Sequence, residues 1–316
     1  MRATIVGLGV GLGLVVWACG PALDPVGADD GDPPGSDDEF DDPVPQEACT
    51  KMDFVFVIDN SGSMAEEQSN LATNFPQFIS VIDQYTGPDG SPIDYRVALT
   101  TTGRDVTYSL NIPPLPTIYN TEYGDDGEFL EKCQMSRKWL ERGDPDVAGT
   151  FACAAQVGTE GPGIEMPLYA IELALDARVA DGKNAGFLRE DALLAIVVLS
   201  DENDCSRKDN DFQLDFGTDV CEPSPELLPP PEVVNFLDGV KKARGRWATA
   251  VIAGPGPGDC NSGFGAAKEA TRLREFVDTT GENAVFSSIC EGNLTTALED
   301  AINTFGAACE TFPDID

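Results

Sequence analysis

Apolar and polar positions fall in blocks whose period changes sharply along this chain. Residues 53–58 (DFVFVI) form a run of β-branched and aromatic side chains, the pattern of a buried strand. Over residues 65–85 the apolar positions Leu71, Phe75, Phe78, Ile79 and Ile82 lie close to helical spacing. Pro76 inside that run predicts a kink or two shorter helices. Residues 93–101 (IDYRVALTT) read as a second strand. Residues 103–158 are polar and turn-rich, and predict an insertion with one short helix over 129–142. An amphipathic pattern over 168–180 predicts a helix, and the continuous apolar run 192–199 (ALLAIVVL) predicts a strand buried on both faces. Helix, strand, helix, strand and helix follow at 232–243, 247–253, 266–279, 284–288 and 294–305. This alternation predicts an α/β fold: a doubly wound, mostly parallel sheet with helices on both faces.

Composition narrows the function. Of 316 residues, 55 are Asp or Glu and 20 are Lys or Arg, for a net charge of −35. Such a surface disfavours nucleic acid and anionic lipid headgroups as partners, and favours cations or a basic partner surface. The chain has no histidine. Imidazole-based triads, most zinc sites and histidine acid–base chemistry are therefore excluded.

The first 18 residues carry Arg2 and then an apolar run, too short to span a bilayer comfortably, and read as a signal-peptide core. The run ends Val-Val-Trp-Ala-Cys19, similar to a bacterial lipobox, although Trp17 stands where a small residue is usual. Nine cysteines are present, and lipidation of Cys19 would leave eight to pair. Residues 21–48 contain ten acidic residues and no Lys or Arg. They cannot bury enough apolar surface to offset chain entropy, so residues 19–48 are expected to form a disordered, extended tether, with a globular domain over 49–316.

The candidate chemistry sits directly after the first strand. Asp59, Ser61 and Ser63 place a carboxylate and two hydroxyls in one loop, where open α/β sheets bind ligands. Hard oxygen donors suit Mg²⁺, Mn²⁺ or Ca²⁺. A helix cap would need only one such oxygen. The third run of interest, Gly158-Thr159-Glu160-Gly161, puts a threonine in a glycine-rich loop before a helix; Thr150 is its competitor. Asp201 follows the 192–199 strand.

The strand followed by Asp59-Asn60-Ser61-Gly62-Ser63 resembles the metal-ion-dependent adhesion site of the von Willebrand factor A domain family. The resemblance covers roughly 51–305 and implies a sheet of six strands with one antiparallel edge strand. It implies that Ser61, Ser63 and Thr159 give hydroxyl oxygens, and that Asp59 and Asp201 bind the ion directly or through water. An open position on the ion would accept an Asp or Glu from a protein partner. Glu66 and Glu67 are placed like the paired acids of an extra Ca²⁺ site in integrin β subunits; equally, acids favour helix N-termini.

With the cysteines read as disulfides in an oxidising compartment, nearest neighbours within single insertions give Cys133–Cys153 and Cys205–Cys221. Cys260 and Cys290 follow adjacent strands of the implied sheet and are expected to pair, which leaves Cys49 and Cys309, flanking the domain, to pair with each other. The expectation is a non-enzymatic, lipid-anchored protein of the bacterial envelope, facing periplasm or cell surface. It would bind a protein partner through a divalent cation and touch the membrane only through its anchor. The alternative is a metal-independent structural subunit of an envelope assembly.

Overall fold

The computed structural model describes residues 49–314, apart from 88, 89, 216, 218, 219, 222, 223, 264 and 293. The signal-peptide, Cys19 and tether expectations lie outside the described residues. The first half contains β1 (Lys51–Ile58), α1 (Ala65–Gln84), β2 (Asp94–Thr101), β3 (Val106–Asn111), β4 (Ile118–Glu122), β5 (Leu140–Glu141), α2 (Val147–Ala154), α3 (Pro167–Leu175) and α4 (Ala177–Ala180). The second contains β6 (Leu193–Leu199), β7 (Asp211–Asp215), α5 (Pro230–Lys241), β8 (Trp247–Ala253), β9 (Cys260–Ser262), β10 (Gly265–Ala267), α6 (Thr271–Thr280), β11 (Ala284–Ser288) and α7 (Leu294–Glu310).

The main sheet has six strands in the order β11-β8-β6-β1-β2-β5. All neighbours are parallel except β5, which pairs antiparallel with β2 at the edge. Because strand side chains alternate between faces, β1 supplies two cores. Phe54, Phe56 and Ile58 face α1, α2 and α7, where the Phe56 ring lies 5.3 Å from Phe75 and 4.8 Å from Phe151. Val55 and Val57 join the opposite core with Leu168, Ile171, Val233 and Phe276 of α3, α5 and α6. The sequence pattern and the architecture therefore agree on an α/β fold with helices on both faces.

Several local expectations are corrected. The helix expected over 129–142 is absent. There the backbone bonds outward instead: the Leu130 amide donates to the Leu99 carbonyl at 2.8 Å, and the Phe129 amide to Asn184 Oδ1 at 2.9 Å. Cys133 and Gln134 adopt left-handed φ of 54° and 63°, which a helix cannot contain. The helix of this insertion is α2, begun by Asp146, whose side chain accepts from the Gly149 amide at 3.2 Å. Pro76 does not divide α1; it lies on the exposed side of the helix. The 168–180 helix breaks at Asp176 into α3 and α4. Residues 266–267 pair with β9 in a hairpin, so α6 starts only at Thr271.

Four disulfides staple the loops: Cys49–Cys309, Cys133–Cys153, Cys205–Cys221 and Cys260–Cys290. The first ties the residue before β1 to the end of α7, and the Cys49 amide donates to the Cys309 carbonyl at 2.9 Å. Two insertions, one after β2 and one after β6, meet in a second sheet of order β4-β3-β7. Among the described residues no helix is long and apolar enough to cross a membrane.

Candidate metal centre

The register of the two central strands builds the site. Ile58 of β1 lies beside Leu199 of β6, and the Asp59 amide donates to the Leu199 carbonyl at 2.9 Å. The next residues, Asp59 and Ser200, leave the sheet side by side, and Asp201 follows. From Phe54 in β1 and throughout β6 the strands are hydrophobic to their last residue, as suits a sheet covered on both faces. The change to oxygen-bearing side chains marks the carboxyl ends of the strands.

Asp59 is fully buried. It accepts from the Ser61 amide at 2.8 Å and from the Ser200 hydroxyl at 2.6 Å. The Ser61 and Ser63 hydroxyls lie 3.1 Å apart, and the Ser63 side chain lies near enough to the Asp201 carboxyl to lower its pKa against the effect of burial. These contacts join Asp59, Ser61, Ser63 and Asp201 into one continuous set of oxygens. Ser61 is buried and Ser63 exposed, so the set opens to solvent at Ser63. Gln68 of α1 fastens the loop: its amide nitrogen donates to the Asp59 carbonyl at 2.9 Å and to the Gly158 carbonyl at 2.6 Å. The Gly158 amide returns a bond to Gln68 Oε1 at 3.1 Å. Gly161 lies against the Asn60 side chain, which would have to shift to admit a Cβ there.

The third loop carries Thr159 and, further along, Glu165. Thr159 is half-buried and lines a surface cavity of about 530 Å³ with Ala65, Gln68 and Gln156. Among the described residues it makes no hydrogen bond to Asp59, Ser61, Ser63 or Asp201. Thr150, its competitor, lies within α2. The side chain of this segment that senses the site is Glu165, which is 3% exposed. Burial, and then the charges of Asp59, Glu202 and Asp201, push its carboxyl up to about 9. Glu165 was not singled out in the sequence, although its position between Ile164 and Met166 at the start of an apolar helix was a legible sign of burial. Ser200 was missed too, because a serine after a strand carries no distinguishing pattern.

Electrostatically the site is short of positive charge. Burial raises the Asp59 carboxyl above its ordinary value, against the lowering effect of its Ser200 and Ser61 hydrogen bonds. Burial and the Asp59 charge push Asp201 up to about 7. Among the described residues no Lys or Arg forms an ion pair with Asp59, Asp201 or Glu165; Lys268 pairs with neighbouring Glu202 at 2.7 Å. Asp201 Oδ1 is buried and has no hydrogen-bond partner. Such an atom normally has one, and a buried carboxylate is normally paired. A small, hard cation fits the orphaned oxygen, the hydroxyls and the charge deficit together. Among the described residues no three Asp, Glu or Cys side chains cluster closely enough to hold a metal by themselves. The arrangement that fits is therefore mixed, with hydroxyls completing the carboxylates.

Glu66 and Glu67 part company. Glu66 is exposed, as expected of an acid in the first turn of a helix. Glu67 is buried, its Oε2 has no partner, and burial raises its carboxyl above the usual range. It lies under the β9–β10 hairpin, where Gly265 (φ 129°) leaves room that any side chain would fill.

No protein-family model matches this chain, and no curated protein matches it. Solved structures with a similar course of chain include proximal thread matrix protein 1 from the mussel byssus. It is 12% identical, with TM-score 0.40, over 82% of this chain and 49% of that one. A structure of the same protein with a zinc-occupied MIDAS motif is 16% identical, with TM-score 0.39, over 84% of this chain and 47% of that one. The pilus adhesin SpaC from Lactobacillus rhamnosus GG is 11% identical, with TM-score 0.43, over 83% of this chain and 31% of that one. This chain thus spans about half of the mussel protein and about a third of the adhesin.

Proposed function

We propose that this protein is a binding module of the von Willebrand factor A type, which captures a protein partner through a divalent cation and does no catalysis. The observation that carries the reading is the buried, partnerless Oδ1 of Asp201, set beside Asp59 at the ends of neighbouring central strands. Asp59, Ser61, Ser63 and Asp201 would hold Mg²⁺, or Mn²⁺ or Ca²⁺ in its place. When bound, the ion would offer an open position to a carboxylate of the partner. Ser200 and the Ser61 amide orient Asp59, and Gln68 holds the loop backbone. Glu165, buried beside the site, has its carboxyl raised to about 9 and so carries little charge of its own; the ion reverses the sign of the acidic surface only locally.

Anchoring through a lipid on Cys19 belongs to the same proposal. Its support is parity: the four disulfides use eight of the nine cysteines and leave Cys19 over. The reading places the protein in a bacterial envelope, on the periplasmic or the outer face. The test is capture of envelope proteins on the purified chain in Mg²⁺ and in chelator, with Asp59→Ala in parallel. The proposal expects a partner retained only with Mg²⁺ and only by the unmodified chain. Retention that ignores both chelator and substitution would favour the metal-independent structural role.

A further inference from the structure

The second sheet presents an edge built unlike the rest of the surface. Among the described residues five large hydrophobic side chains are exposed, and four of them, Leu115, Ile118, Tyr119 and Tyr123, belong to the β3–β4 ribbon and its flank. Tyr119 is 77% exposed and Ile118 44%. Neighbours on a strand point to opposite faces, so β4 is open to solvent on both. Residues 106–121 contain no charged side chain, in a chain of net charge −35. Exposed apolar patches of this kind mark interaction sites.

β4 is also an edge: among the described residues it pairs only with β3. Folded proteins usually guard such edges with charges, prolines or bulges. Here Pro113, Pro114 and Pro116 all precede the strand and none lies in it. The single charge in β4, Glu122, is turned inward. It accepts from the Tyr108 hydroxyl at 3.0 Å and from the Gly163 amide at 3.2 Å. The second of these bonds fastens the end of β4 to the loop that leads to Glu165. A segment laid along β4 would therefore run toward the candidate cation centre.

We infer that β4 is a docking edge for an extended segment of a protein partner, added as a further strand, with apolar side chains packed against Ile118 and Tyr119. Three features select this occupant. A row of main-chain N–H and C=O groups is satisfied by another main chain; a lipid surface would leave it unpaired. The uncharged patch favours apolar side chains. A second copy of this chain would bring two strongly negative bodies together against their mutual repulsion. An acidic residue at the end of the segment nearest Gly163 would reach the cation; this last part rests on the proposed metal-dependent function, whereas the strand addition does not.

The test selects random linear peptides on the full chain in Mg²⁺, then measures their affinity and their effect on amide exchange. The expected peptides alternate apolar and polar positions and slow exchange of the 118–122 amides. They bind about tenfold or more weaker to the Ile118→Lys/Tyr119→Lys double variant. Both side chains are exposed, so the variant keeps its fold, which circular dichroism verifies. Val179→Lys, at the fifth exposed hydrophobic, leaves binding unchanged. Failure to select any such peptide, equal affinity for the double variant, protection elsewhere, or a concentration-dependent dimer that protects β4 would each overturn the inference. Loss of affinity in Asp59→Ala supports the acid-to-cation part. Peptides that keep full affinity there uphold the strand addition and count against the metal reading alone.

Discussion

The Ser200 hydroxyl donates to Asp59 Oδ2 at 2.6 Å, joining the ends of two neighbouring parallel strands through a buried hydrogen bond. It opposes the effect of burial on Asp59 and, with the Ser61 amide that donates to Oδ1, fixes the orientation of the carboxylate. Ser200→Ala removes a donor from a carboxylate that water cannot reach. The expected cost is about 1.5–3 kcal/mol of stability, with a cation affinity about 10–100-fold weaker, as for other partners that orient a ligand. Denaturant unfolding and Mg²⁺ titration of the variant check both.

Glu165 gives the cation-free chain a particular dependence on pH. Burial and the surrounding carboxylates raise it from 4.5 to about 9, so the folded chain holds a proton that the unfolded chain releases. The sign follows from linkage: the state that binds more protons is favoured at low pH. Stability in chelator should be full below about 4.5 and fall as the pH rises toward about 9. Glu165→Gln should flatten that fall, and so should saturating Mg²⁺ in the unmodified chain, because a nearby cation favours the ionised carboxylate. Unfolding midpoints across the window, with and without Mg²⁺, give the answer. Stability that rises through it in chelator would contradict the assignment.

Arg272 of α6 holds the loop that follows Asp201. It donates to Asp204 Oδ2 at 2.9 Å and to the Leu228 carbonyl at 2.6 Å, and both Arg272 and Asp204 are buried. Arg272→Met keeps the bulk and leaves Asp204 charged and unpaired. About 3–5 kcal/mol of destabilisation is expected, read by denaturant unfolding. The double variant Arg272→Met/Asp204→Leu should recover much of it; equal stability of the single variant and the parent would show that the pair contributes nothing.

Cys49–Cys309 closes a sequence separation of 260 residues. In the chain-entropy model a loop of that length contributes about 5.6 kcal/mol, less any strain. Paired Cys49→Ala and Cys309→Ala substitutions should lower the thermal midpoint and raise amide exchange in the last turns of α7. Exchange at β1 should change less, because β1 is held between β2 and β6. Undiminished protection at the end of α7 would mean that packing alone fixes it.

Sequence pattern revealed most of this fold where one physical signal dominated. The runs 53–58 and 192–199 could be buried only as central strands, and their abrupt polar ends located Asp59 and Asp201. The pattern failed where backbone partners came from afar. Over 129–142 helical periodicity was present, yet Asn184 and Leu99 took the amides and two left-handed residues broke the turn. In the third loop the pattern drew attention to Thr159, the chemically attractive residue; Glu165, six positions later, is the buried carboxyl that the Asp59 charge raises, and nothing local in the sequence signals that coupling. The β3–β4–β7 sheet joins two insertions separated by the whole of α3 and β6, and no local pattern announces such a pairing.

The central claim is that Asp59, Ser61, Ser63 and Asp201 form one cation site, and calorimetric titration with Mg²⁺ and Mn²⁺ tests it most directly. The prediction is a single saturable event in the chain, absent from both Asp59→Ala and Asp201→Asn, with circular dichroism confirming that each variant is folded. An unchanged isotherm in either variant, or no binding in the unmodified chain, would contradict it.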